Sequence, residues 1–189
     1  MGDERASVQP LSEWLQVSRS IEIALEGLTK DDLNCRGGSN GWSVRENVHH
    51  VVESNLVACT IVIAAMGKGG ITYDCSWMNP DRAWMERMGY THAAVAPAID
   101  ALSGLCRYVA ALLSAAAPDA LRREIKLLGA PGTEPYLMTV VQMIRLEVDH
   151  ARHHLQEVHD TLKQGLHSLA GLPSRSDLPP NEGLSSRGR

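Results

Sequence analysis

From Val141 to Leu162 the apolar residues Val141, Ile144, Val148, Ala151, Leu155, Val158 and Leu162 follow one another in alternating steps of three and four. On a helix of about 3.6 residues per turn these steps make one continuous stripe, and such a stripe is buried by packing on other helices. The chain must therefore supply helical partners, and three other segments carry the same periodicity. The first runs from about Leu11 to Leu28, with Leu11, Leu15, Ile21, Leu25 and Leu28 near one face and Ser12 as its candidate cap. The turn cluster Gly37-Gly38-Ser39-Asn40-Gly41 follows it.

Ser43 with Glu46 three residues later is a capping box, which predicts a helix from Val44 to about Met66, stopping at Gly67. Residues 67–90 hold Gly69-Gly70, Asn79-Pro80, Trp77, Trp84 and Arg87 and read as a long, partly structured connection of the kind that covers a site. A third helix is expected from Thr91 or Pro97 to Ala116, before Pro118. Residues 123–128, ahead of Ala130-Pro131-Gly132, suit a short extended excursion, and the striped helix should begin near Pro135. The prediction is an all-α four-helix bundle in one domain, residues 11–165. Residues 1–10 are expected to be flexible, and residues 166–189, rich in Pro, Ser, Gly and Arg, a disordered tail.

Composition narrows the function. With 44% apolar and 21% charged residues the 189-residue chain can build one real core. Its net charge of −4 comes from scattered residues rather than a basic stripe, which argues against nucleic acid as a partner. The start of the chain lacks a secretory pattern, and the apolar run Leu56 to Met66 is too short to span a bilayer, so a cytoplasmic protein with no membrane partner is expected. Cys35, Cys59, Cys75 and Cys106 form no C-x-x-C pair and read as packing or loop thiols.

The histidines carry the chemistry. Five of the eight fall in two groups, His49-His50 and His150, His153, His154. Residues four apart lie one turn above each other, so His150 and His154 can aim at one point, with His49 or His50 supplying a third imidazole from the second segment. Periodicity does not choose between those two. Three imidazoles with a free fourth position is the layout of a catalytic zinc site, although histidines on a wet helix face are common without any metal. Glu46-x-x-His49 and Glu147-x-x-His150 also form half of a dinuclear carboxylate centre, but the third segment offers no Glu to complete it, only Asp100. Glu147, one turn before His150, and Asp149, beside it, are the candidate catalytic carboxylates, placed to orient an imidazole or carry a proton. Solvated helix charges are the plain alternative.

Two stretches resemble a known family. Gly41-Trp42-Ser43-Val44-Arg45-Glu46-Asn47-Val48-His49-His50-Val51 resembles the W-[ST]-x-R-[EQ]-x-x-x-H segment of the DinB/YfiT-like metalloenzymes, and Asp149-His150-Ala151-Arg152-His153-His154-Leu155 resembles their H-x-x-x-H segment. The likeness spans roughly Leu11 to Leu162. It implies His50, His150 and His154 as the ligands of one divalent ion, Zn2+ or Ni2+, with His49 and His153 as neighbours. It implies transfer of a small thiol cosubstrate such as bacillithiol, mycothiol or glutathione to a small electrophile, or a related isomerase, with a hydrolase as the alternative. A non-catalytic metal-binding homodimer is the competing class. Val52-Glu53 stands where the family often has Ala-Asp, and the chain has no Phe.

Overall fold

A computed structural model describes the backbone of residues 2–39, 41–78, 80–117 and 119–170, with side chains over 9–165 of these. Helix α1 (Gly2–Leu25) leads through the short α2 (Lys30–Asn34) into α3 (Val44–Lys68). Strand β1 (Ile71–Asp74) and the short α4 (Arg82–Arg87) precede α5 (Val95–Ala115). One 3-10 turn, Ala120–Arg122, then β2 (Glu124–Leu128) and β3 (Tyr136–Thr139), bring the chain to α6 (Val140–Ala170). Helices α1, α3, α5 and α6 form the bundle: α3 and α1 each pack on both α5 and α6. Helices α3 and α5 are long and apolar enough to cross a membrane by length and composition, but their apolar faces are spent inside this bundle.

The stripe on α6 is buried as expected at Ile144, Val148, Ala151 and Val158, and the first three belong to one core cluster with Val48, Val51, Ala58 and Val62 of α3 and Leu102, Cys106 and Val109 of α5. The buried face of α1 keeps Leu11 and Ile21 as expected but not Leu15. Leu15 is exposed, and Leu11, Trp14, Val17 and Ile21 face the core, because the Trp14 indole N–H reaches Asn55 Oδ1 at 2.6 Å and anchors that side inward. Helix α1 also reaches back to Gly2, where a flexible start was expected. Ala, Glu and Arg in that stretch favour helix, and Ser12 donates to Gln9 O from within the helix instead of capping it. Burial pushes the Cys59 and Cys106 thiols up to about 12, so both are inert packing groups.

The ends of the elements follow local chemistry. The Ser43–Glu46 capping box forms in full, whereas α3 outlasts Gly67 and stops at Gly69, whose φ of +77° provides the left-handed cap. Helix α6 begins at Val140 rather than near Pro135, because Thr139 and Gln142 cap each other reciprocally and residues 136–139 are taken into a sheet. That sheet has the order β1-β2-β3, with β1 parallel to β2 (Ile71↔Ile125) and β2 antiparallel to β3 (Glu124↔Thr139). It follows the C-terminal end of α3, away from Ser43. Helix α6 continues to Ala170, and Gly165 lets it pass close to the Cys35 side chain. The rest of the expected tail, residues 171–189, lies outside the described residues.

Glu46 does more than cap. Its side chain is fully buried and accepts two bonds from Arg36 at 2.7 and 2.8 Å and one from Arg82 at 2.5 Å, joining the loop before α3 to α4. Burial alone would raise its pKa, but Arg36, the Ser43 amide and Arg82 outweigh it and hold the carboxyl below its ordinary 4.5. The unfolded chain then takes up this proton first on acidification. The stabilisation is complete above pH 4.5 and is lost as the pH falls through the lowered folded value. Glu46→Ala is expected to cost about 2–3 kcal/mol in urea melts at pH 7. Glu46→Gln should flatten the loss of stability below pH about 4.5, and an unchanged acid limb would show that the arginines contribute nothing.

Candidate metal centre

Antiparallel packing of α3 on α6 sets the register of the site: Asn47 meets His154, His50 meets His150, and Ser54 meets Glu147. His50 Nε2 and His154 Nε2 each lie 3.1 Å from His150 Nε2. Two nitrogens bound at 2.0–2.1 Å to one tetrahedral ion are about 3.3 Å apart, so this spacing fits a single small cation. Among the described residues these three histidines are the one group of potential ligands whose donor atoms lie within 4.8 Å of one another.

The far side of each ring decides whether its Nε2 has a lone pair to offer. Asn47 Nδ2 donates to Ser43 O at 3.0 Å, which turns Oδ1 toward His154 Nδ1 at 2.8 Å. His154 must then carry its proton on Nδ1 and leave Nε2 free. His50 Nδ1 and His150 Nδ1 are buried without a hydrogen-bond partner, each facing a carboxylate: Glu53 at 3.9 Å and Glu147 at 3.8 Å. Glu147 accepts the Ser54 hydroxyl at 3.0 Å on both oxygens. An ionised carboxylate is acceptor only, so both rings also favour the Nδ1–H form. Burial, followed by the neighbouring His150, His50 and His153, pushes His154 down to about 3, so it stays neutral.

A family model of the DinB superfamily matches residues 13–158. The chain belongs to the DinB superfamily. Two relatives named "Putative metal-dependent hydrolase" are each 26% identical to it. One, from Geobacillus kaustophilus, matches over 78% of this chain and 82% of its own length. The other, from Geobacillus thermodenitrificans, matches over 79% and 83%. Among solved structures, YfiT from Bacillus subtilis, described as a probable metal-dependent hydrolase with an unusual four-helix bundle topology, superposes with a TM-score of 0.72 at 20% identity. The match covers 84% of this chain and 87% of YfiT, and it shows that the two share a fold.

In this DinB-superfamily chain the choice between His49 and His50 falls on geometry: His49 stacks on Tyr90 at 5.1 Å and faces Ala93 O at 3.3 Å, away from the cluster. His153 is exposed on α6 and only touches the edge of His154. Asp149 is not brought to the site; its side chain is 75% exposed and pairs with Arg152 at 3.6 Å. Glu46 is taken by two arginines, so the E-x-x-H pair on α3 does not assemble for a dinuclear centre. Trp42 is nearer than its position before the helix suggested, stacked on His154 at 5.5 Å and edge-on to His50 at 5.1 Å. Its loop is pinned to α6, where Glu157 accepts Ser39 N at 2.8 Å and Ser39 Oγ at 2.6 Å. A side chain at Gly38, at φ +64°, would collide with that carboxylate.

Asn47, Glu53 and Glu157 escaped the sequence reading. The first two sit one turn before and one turn after His50, an N-x-x-H-x-x-E pattern that was a usable signal. Glu157 left none, because its partner lies in a loop far away in sequence. Alanine at His50, His150 or His154 is expected to strip the ion from the purified protein. His49→Ala and His153→Ala should each keep about one ion per chain by elemental analysis. Loss in His49→Ala with retention in His50→Ala would move the centre to the other register. Because His154 is neutral when folded and protonated below pH 6.5 when unfolded, the metal-free protein should lose stability as pH falls from 6.5 toward 3. A urea midpoint constant over that window would contradict its burial.

Proposed function

We propose that this chain is a divalent-metal-dependent enzyme that transfers a small thiol to an electrophilic small molecule. The observation that carries the reading is the meeting of three imidazoles, with His50 Nε2 and His154 Nε2 each 3.1 Å from His150 Nε2 and an oxygen facing every Nδ1. A divalent ion there, Zn2+ or Ni2+ being suited to imidazole, would supply Lewis acidity that lowers the pKa of a thiol or water in the coordination position three imidazoles leave free.

The protein's own groups do the holding and shielding. Asn47 fixes the tautomer of His154, and Glu147, its carboxylate held by Ser54, faces His150 Nδ1 at 3.8 Å as an orienting group. Trp42 covers one face of His154 and keeps water from that side. A purely structural ion would take a fourth protein ligand, and none joins the cluster among the described residues. The carboxylates stand behind the rings, and Asp149 points to solvent, so among the described residues no separate general base faces the donor atoms. A thiol needs none, because its acidity is adjusted by the ion itself. Hydrolysis of an ester or amide is the second reading, favoured by the names of the two Geobacillus relatives.

With Co2+ in place of the native ion, adding bacillithiol, mycothiol or glutathione should produce a sulfur-to-metal charge-transfer band that is lost in His154→Ala. Turnover should require both thiol and metal and rise with pH until the nucleophile is fully deprotonated. If no thiol binds or supports turnover while the metal form alone cleaves an ester or amide, hydrolysis replaces transfer.

A further inference from the structure

Glu53 lies one turn beyond His50 on α3, and its side chain is only 12% exposed. Exposed glutamates are satisfied by water; a buried one must be satisfied by the protein. Here the Trp84 indole N–H reaches both oxygens, at 3.1 and 3.2 Å, and the Tyr90 hydroxyl donates to the same group. Both donors come from the connection between α3 and α5. The remaining side of the carboxylate faces His50 Nδ1 at 3.9 Å, a buried nitrogen with no other partner. That gap is about 1 Å longer than an N–H···O bond.

The connection is seated on α3 at several further points. Arg82 binds Glu46, Met85 is fully buried, Tyr90 stacks on His49, and Arg45 donates to Ala93 O at 2.5 Å. Glu53 is the one of these contacts that also looks into the cluster of imidazoles. A carboxylate behind a ligating ring holds the proton on Nδ1 and makes Nε2 a better donor. Its own placement is fixed here by the indole and the phenol.

We propose that Glu53 is a positioning residue for His50 and that, through Trp84 and Tyr90, it makes the α3–α5 connection part of the metal centre. Ion occupancy and the seating of α4 on α3 then strengthen each other, because coupling between two sites is reciprocal. This rests on the metal reading above.

Chelator competition with Zn2+ on the full chain gives the affinity of the wild type, Glu53→Gln and Trp84→Phe. Glu53→Gln keeps an oxygen for the indole and removes the charge behind His50, so affinity should drop about 10–100-fold. Trp84→Phe leaves the carboxylate and every imidazole in place, and a smaller drop in the same direction is expected. Zn2+ should slow amide hydrogen exchange in the wild type along both α6 and Arg82–Arg87, and in Glu53→Gln along α6 alone. Unchanged affinity in both variants, or exchange in α4 that ignores the ion in the wild type, overturns the proposal and leaves the metal reading standing. A wild type that holds no ion sinks both.

Discussion

Three imidazole nitrogens that direct lone pairs at one region, two of them 3.1 Å from the third, repel one another unless a cation lies between them. Much of the architecture around α3 and α6 maintains this arrangement. The two helices run antiparallel so that the second turn of α3 faces the middle of α6. Behind each ring stands an oxygen: Asn47 Oδ1 is bonded to His154 Nδ1 at 2.8 Å, and the Glu53 and Glu147 carboxylates face Nδ1 of His50 and His150 at 3.9 and 3.8 Å. Remove those acceptors and a ring is free to flip its tautomer and donate inward. With them, all three rings offer only lone pairs.

The supports of the site are themselves held by charge and packing placed farther out. Glu46 gathers Arg36 from the preceding loop and Arg82 from α4, and its capping of α3 fixes where that helix begins and so where Asn47 and His50 point. Glu157 secures the Gly38-Ser39 turn, which carries Trp42 onto His154. The three-stranded sheet follows the other end of α3 and takes no part in the site. Its strands close the links into α5 and α6 while the histidines sit near the N-terminal end of α3.

Much of this was legible in the residues because it is local. The stripe Ile144-Val148-Ala151-Val158 and the Ser43–Glu46 box predicted α6 and α3 with little ambiguity, since periodicity and capping act within a few residues. The Thr139–Gln142 cap was equally local, and the start placed at Pro135 overlooked it. What the sequence did not show depends on contacts distant along the chain. The inward turn of Trp14 follows from Asn55, 41 residues away, and the fixing of the Trp42 loop follows from Glu157, 118 residues from Ser39. Periodicity left His49 and His50 equivalent; the W-x-x-x-x-x-x-x-H motif implied His50, and the packing of α6 places His50, not His49, in the cluster. Asp149 illustrates the converse error: adjacency to His150 in sequence turns it about 100° around the helix, away from the cluster.

One ion is expected to sit on three imidazoles and on no carboxylate. X-ray absorption at the zinc edge of the loaded protein tests it directly. Three imidazole nitrogens at about 2.0–2.1 Å, one further light atom, and no metal neighbour at about 3.5–4 Å are expected. Two or fewer imidazoles with carboxylate oxygens filling the shell, or a metal-to-metal distance in that range, would contradict it.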